Sequence, residues 1–187
     1  MNIILFGPPG AGKGTQAKNL EKKLNNFQVS TGDMLRDEIK KETEIGLKII
    51  NYMNEGKFVD DEIVNRLMIN VVSDPIKKNR LIFDGYPRTL DQAKNLDVLL
   101  TKTNQKIDFI FFLNVNKEII IKRIEKRKLI ENRSDDDIDT ILKRYDTYME
   151  TTKPVLDYYS NKSTFNEIDG GLKIAEITNK INDILKV

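Results

Sequence analysis

The chain has 187 residues and a net charge of +2, from 31 Lys+Arg against 29 Asp+Glu, and 39% of it is hydrophobic. It holds no cysteine, histidine or tryptophan, which excludes a disulfide framework, a thiol nucleophile, a Cys/His zinc site and a histidine general base. Balanced charge gives no general reason to expect nucleic acid as a partner, and every apolar run falls far short of the roughly 20 residues that span a bilayer.

The length suits one domain. The opening MNIILFGPPG lacks the basic flank and long apolar stretch of a signal peptide, so a cytoplasmic location is the expectation. No sustained heptad or large apolar patch argues for association, and a monomer is expected. Catalysis would fall to Lys, Arg, Asp, Glu, backbone amides and a hard metal ion held by oxygen.

In chain order, Ile3 to Phe6 is a run of strand formers that stops at a Gly/Pro turn. A helix follows over Thr15 to Leu24, then a brief strand over Gln28 to Thr31. The charged stretch Gly32 to Val72 reads as short helices broken near Thr43, Gly56 and Asp60. Leu81 to Phe83 forms a third strand, Leu90 to Leu100 a helix, Phe109 to Val115 a fourth strand and Phe165 to Ile168 a fifth. Helices fill Lys117 to Arg127, Asp136 to Tyr159 and Leu172 to Leu185. Continuously apolar strands separated by helices predict a parallel sheet buried on both faces, an α/β fold. Ser30 to Val59 and Lys128 to Asp135 look least like core.

The sharpest signal is Gly7-Pro8-Pro9-Gly10-Ala11-Gly12-Lys13-Gly14-Thr15, lying between the first strand and first helix as a phosphate-binding loop requires. Glycines let successive N–H groups turn inward on an anion, the helix N-terminus adds its dipole, and Lys13 supplies a mobile charge. Gly14 stands where the generic motif has Ser or Thr, and the hydroxyl falls on Thr15. That predicts a metal held mostly through water and phosphate. Asp84 ends the third strand like a Walker B acid and is the expected outer-shell Mg²⁺ residue, with Asp33 a weaker partner that equally suits a helix N-cap. Arg36, Arg88, Arg123, Arg127, Arg133 and Arg144 sit at element ends or in the less core-like segments, as a set neutralising a transferred phosphoryl group would. Lys122 to Lys128 reads equally as a solvated basic helix end or a nucleic-acid patch.

Together GPPGAGKGTQ (7–16), STGDMLR (30–36), GKFV (56–59), DGYPRTLDQA (84–93), KRIEKR (122–127), RSDDD (133–137), KRYDTY (143–148) and IDGG (168–171) resemble the adenylate kinase family over nearly the whole chain. The resemblance implies the three-layer P-loop nucleoside monophosphate kinase fold, with a five-stranded parallel sheet. It implies reversible, Mg²⁺-dependent transfer between ATP and AMP to give ADP. It implies ATP phosphates held by Gly10, Ala11, Gly12, Lys13, Gly14 and Thr15, and the ATP adenine met by Arg123 and the main chain at Leu172. It implies an AMP site of Thr31, Arg36, Lys57, Phe58, Val59, Gly85, Tyr86, Pro87, Arg88 and Gln92, with Arg127, Arg133 and Arg144 around the phosphates. Residues 30–59 correspond to an AMP-binding subdomain and 127–137 to a lid. Only Lys128 to Asn132 separate Arg127 from Arg133, which makes it a short lid that cannot carry structural zinc. The family's uridylate/cytidylate branch usually carries small or different residues where this chain has Thr31, Thr89 and Gln92, so the resemblance favours AMP over UMP or CMP; Gln92 offers a donor and acceptors to the edge of adenine and Thr31 can add a hydroxyl. The alternatives are a uridylate/cytidylate kinase of the same fold and a non-kinase P-loop nucleotide-binding regulator; an RNA-binding module rests on Lys122 to Lys128 alone.

Overall fold

The structure is a computed structural model and describes residues 1–131, 138–162 and 164–187. Five strands, β1 (Ile3–Phe6), β2 (Phe27–Ser30), β3 (Leu81–Asp84), β4 (Phe109–Asn114) and β5 (Phe165–Asp169), form one sheet in the order β2-β3-β1-β4-β5. All pairings are parallel, with Leu5 of β1 opposite Asp84 of β3 and Phe111 of β4. From β1 the chain goes to the edge strand β2, returns to β3 beside β1, then crosses to β4 and β5 on the other side, so the connections leave the neighbours β1 and β3 in opposite directions. In open parallel sheets that reversal leaves a crevice beyond the carboxyl ends of the strands, and ligands bind there.

Alternation along the strands divides the core. Ile4, Phe6, Leu81, Phe83 and Ile110 face one layer, which holds α4 (Asp61–Val72), α5 (Leu90–Lys102) and α8 (Lys153–Ser160). Ile3, Leu5, Ile82, Phe111 and Leu113 face the other, which holds α1 (Lys13–Leu24), α6 (Lys117–Glu131) and α9 (Ile174–Leu185). The central strands β1, β3 and β4 are buried on both faces and read as apolar runs, whereas the edge strands β2 and β5 are partly exposed and mix polar residues in. Two further helices, α2 (Thr31–Lys40) and α3 (Glu44–Asn54), form a hairpin beyond β2, capped by Ser30 and Thr43 through their hydroxyls.

The expected single helix from 136 to 159 is two elements, α7 (Ile138–Thr151) and α8. Pro154 lies at the start of α8; without an N–H, and with a ring that clashes one turn back, it cannot continue a helix. Thr152, at the break, donates its hydroxyl to Arg88 O at 3.0 Å. The helix expected from Leu172 starts at Ile174 instead.

Opposite the crevice, amides tie the foot of the sheet. Asn2, fully buried, accepts from Leu81 N at 3.1 Å and donates to Gln105 Oε1 and Lys106 O at 3.3 and 3.0 Å. Gln105 also accepts from Asn79 N at 2.7 Å and donates to Val72 O at 3.0 Å.

Candidate active site

Residues 7–12 join β1 to α1 at the reversal of strand order. Gly12 caps α1 at φ 97°, with nothing near where a Cβ would stand; a glycine adopts this left-handed backbone without strain and leaves the helix N-terminus open. Inside the loop, Lys13 Nζ donates to Gly7 O at 2.6 Å and Pro8 O at 3.0 Å. Burial pulls this ammonium down to about 8; Asp84 opposes the shift, and Arg88, Arg144 and Arg127 add to it. The lysine therefore sits at the centre of a cationic cluster that asks for an anion.

Asp84, at the end of β3, accepts from Gln28 Nε2 at 3.0 Å. A Cβ at Gly14 would lie 3.5 Å from Asp84 Oδ2, so the slot the generic motif fills with Ser or Thr faces this carboxylate and stays clear. Thr15 is exposed on the first turn of α1. Among the described residues no group of three or more His, Cys, Asp or Glu could hold a metal.

Beside the loop opens a cleft lined by Thr31, Gly32, Leu35, Met53, Lys57, Phe58, Val59, Val64, Gly85, Arg88, Gln92 and Arg144. The lining combines apolar side chains, Leu35, Met53, Phe58, Val59 and Val64, with polar and cationic ones, Thr31, Lys57, Arg88, Gln92 and Arg144. Arg88 donates through Nε to Gly85 O at 2.7 Å and lies over the Phe58 ring at 5.0 Å. Burial pulls its guanidinium down to about 10, Arg144 adding to this, Asp84 opposing it and Arg36 adding again. Gly85, at φ 82°, admits the Arg88 side chain and the Thr31 hydroxyl, each 2.9 Å from where a Cβ would stand. Thr31 donates to Gly85 O at 2.8 Å. Arg36, on α2, pairs with Asp33 at 2.5 Å, and Asp33 N takes the Ser30 cap.

Lys57 pairs with Glu55 at 2.7 Å through an exposed side chain. Tyr86 is buried in the core, donating to Asn65 Oδ1 at 2.7 Å, and Pro87 follows it through a cis peptide bond; neither lines the cavity. Arg123, on α6, donates to Ala11 O at 3.2 Å and Leu172 O at 3.3 Å. It thus bridges the phosphate loop and the turn before α9. Arg133 and the stretch 132–137 lie outside the described residues.

Three site neighbours receive no site role from the motifs, although one of them, Tyr148, ends KRYDTY. Gln28 holds Asp84 from β2. Tyr148, on α7, is buried beside Arg88 and the Gly7 backbone, and burial pushes its phenol above the usual range. Asp61, on α4, binds Thr89 and Gln92. The Asp60-Asp61 doublet was a usable signal, but it reads as an ordinary acidic helix start.

A phosphate loop at the switch point of an all-parallel sheet, with an arginine-lined pocket next to it, defines a P-loop nucleotide kinase fold. A family model described as adenylate kinase matches residues 5–164. A Pelagibacter ubique adenylate kinase is 49% identical across the full length of both chains. One from Mycoplasma capricolum is 43% identical, again across both, and one from Porphyromonas gingivalis 38% identical over 99% of this chain and 95% of its own. The chain belongs to the adenylate kinase family and is an enzyme of that family, a nucleotide-binding phosphotransferase.

Proposed function

We propose that the chain transfers a phosphoryl group reversibly from Mg²⁺-bound ATP to AMP, giving two ADP, by direct in-line displacement. The observation that carries this reading is the pairing of sites. A pocket with Arg88 and Gln92 on its wall adjoins the phosphate loop, and Arg88 is near enough to Lys13 to depress its proton affinity. A nucleotide switch needs the loop but not the pocket.

ATP phosphates sit on the 10–15 backbone and Lys13, with Arg123 and the Leu172 main chain toward the adenine. AMP enters the cavity. Its phosphate meets Arg36 and Arg88, and its base rests among Leu35, Val59 and Val64 with Gln92 at its edge. The backbone of 57–59 and 85–87 frames the same site, and Thr31 adds a hydroxyl. Arg127, Arg133 and Arg144 neutralise the charge that spreads over the transferred group. The acceptor is a phosphate oxygen already anionic at neutral pH, so no general base is required and a chain without histidine loses nothing. Segments 30–59 and 127–137 are the parts that would close to keep water from competing.

The donors present suit Mg²⁺: among the described residues one carboxylate, Asp84, faces the clear slot at Gly14, and Mg²⁺ keeps several waters and binds through one or two carboxylates plus phosphates. When bound there, the ion would neutralise phosphate charge. Asp84 would hold it through water, oriented by Gln28.

The test is an acceptor panel. With ATP and Mg²⁺, ADP is expected to form rapidly with AMP, far more slowly with CMP or UMP, and at background level without an acceptor. Faster transfer to UMP or CMP makes it a pyrimidine-nucleotide kinase; no acceptor-dependent ADP makes it a regulator.

A further inference from the structure

Asp61 has no role in the chemistry above, yet it joins two side chains at the pocket. It lies half-buried in the first turn of α4. Its Oδ2 accepts from the Thr89 hydroxyl at 2.6 Å and its Oδ1 from Gln92 Nε2 at 2.6 Å. At the other end of the same amide, Gln92 Oε1 accepts from Arg88 N at 2.8 Å. Gln92 lines the cavity and is only 2% exposed, so water cannot freely replace these partners.

A carboxamide is nearly symmetrical in shape but not in hydrogen bonding: one end carries two N–H donors, the other two lone pairs. An ionised carboxylate only accepts, and a backbone N–H only donates. Asp61 therefore dictates which end of the Gln92 amide is nitrogen, and Arg88 N dictates which is oxygen. Turning the amide over would face Nε2 with an N–H and Oε1 with a carboxylate, leaving buried groups unsatisfied. In the fixed orientation, one N–H and one lone pair of Gln92 stay uncommitted.

We propose that Asp61 is a positioning residue that locks the Gln92 amide in one orientation and thereby makes the monophosphate pocket select a 6-amino purine over a 6-oxo purine. The proposal rests on the AMP reading above. Adenine presents an acceptor at N1 beside an amino donor, which matches the free N–H and lone pair. A 6-oxo purine inverts both groups, with N1–H beside a carbonyl, and matches only the turned-over amide. Discrimination of this kind is strong because a mismatched base strands buried polar groups.

The test compares the full-length wild type with Asp61→Asn, using ATP and Mg²⁺ as donor and AMP or inosine monophosphate as acceptor. Asparagine keeps the size of aspartate but can turn its own amide to donate to Gln92 Oε1, so it no longer imposes an orientation. The AMP-to-IMP ratio of kcat/KM is expected to fall about ten-fold or more, corresponding to one lost hydrogen bond to a charged group. Most of the change should come from a rise for IMP, because Arg88 N still holds the Oε1 end in the adenine-matching orientation. A purely structural role at the start of α4 would lower both by the same factor, and an unchanged ratio in folded protein overturns the proposal. Asp61→Ala, whose vacated space admits water able to donate or accept, carries the same expectation should Asp61→Asn fail to fold. If the wild type itself does not phosphorylate AMP, the acceptor reading fails rather than the lock.

Discussion

At the scale of single residues, Lys13 carries the clearest pH signature. Its ammonium, held down to about 8 by burial and by the surrounding arginines, is charged at neutral pH but loses its proton soon above. The charged form is the one that attracts triphosphate. The kcat/KM for ATP is therefore expected to be level near neutral pH and to fall about ten-fold per pH unit well above 8, because this ratio reports the free enzyme. Bound phosphate raises the lysine again, so kcat should hold to higher pH. A kcat/KM profile level to pH 10 would contradict this. Lys13→Met and Arg88→Lys are both expected to lower turnover by orders of magnitude in folded protein. Lysine in place of Arg88 cannot reproduce a planar fork that reaches Gly85 O while stacking on Phe58. Near-normal turnover in Arg88→Lys would remove that arginine from the transferring site. Lys13 was legible because its loop is contiguous in sequence. The Asp61–Gln92 contact was not, because the packing of α4 on α5 brings together positions 31 residues apart.

At the scale of elements, the α2–α3 hairpin depends on one close approach. A Cβ on Gly46 would stand 2.2 Å from Glu38 O and 2.8 Å from Ile39 N, which are backbone atoms that cannot step aside. Gly46→Ala is therefore expected to cost about 1–3 kcal/mol, visible as a fall of roughly 2–4 °C in Tm per kcal/mol for a chain of this size. Because α2 carries Thr31 and Arg36 and α3 ends beside Met53 in the cavity wall, KM for AMP should rise more than KM for ATP. Equal rises would mean that the hairpin does not shape the pocket. The break near Thr43 that divides this hairpin and the one near Gly56 that ends it could be read from capping and glycine chemistry. The break at Thr152 could not, since Pro154 is as acceptable in a first helical turn as it is disruptive in a helix interior, and the hydroxyl bond to Arg88 O is invisible until the fold brings the two together.

For the whole molecule, burial on both faces made the central strands β1, β3 and β4 legible as apolar runs, while the edge strands β2 and β5 mix polar residues in, and the alternation with helices foretold the parallel sheet. Strand order was not legible, because β1 pairs with β3 and β4, which are remote in sequence. Among the described residues the large apolar side chains left exposed include Leu47, Ile50 and Tyr52 on α3, Ile69 on α4, Ile76 before β3, Val98 on α5 and Ile174 on α9. Most lie on separate elements, and a monomer is the expectation. Sedimentation is expected to give one species near the chain mass of 21.6 kDa at micromolar concentration; a concentration-dependent doubling would contradict this.

The amide ties around Asn2 and Gln105 give the sheet a stiff heel. Strain applied at the rim, where nucleotides would come and go, cannot be relieved by splaying the strands at their start, so repeated cycling should leave this end undisturbed. In deuterated buffer the Leu81 and Asn79 amides are expected to exchange only with global unfolding, and those of the glycine loop much earlier.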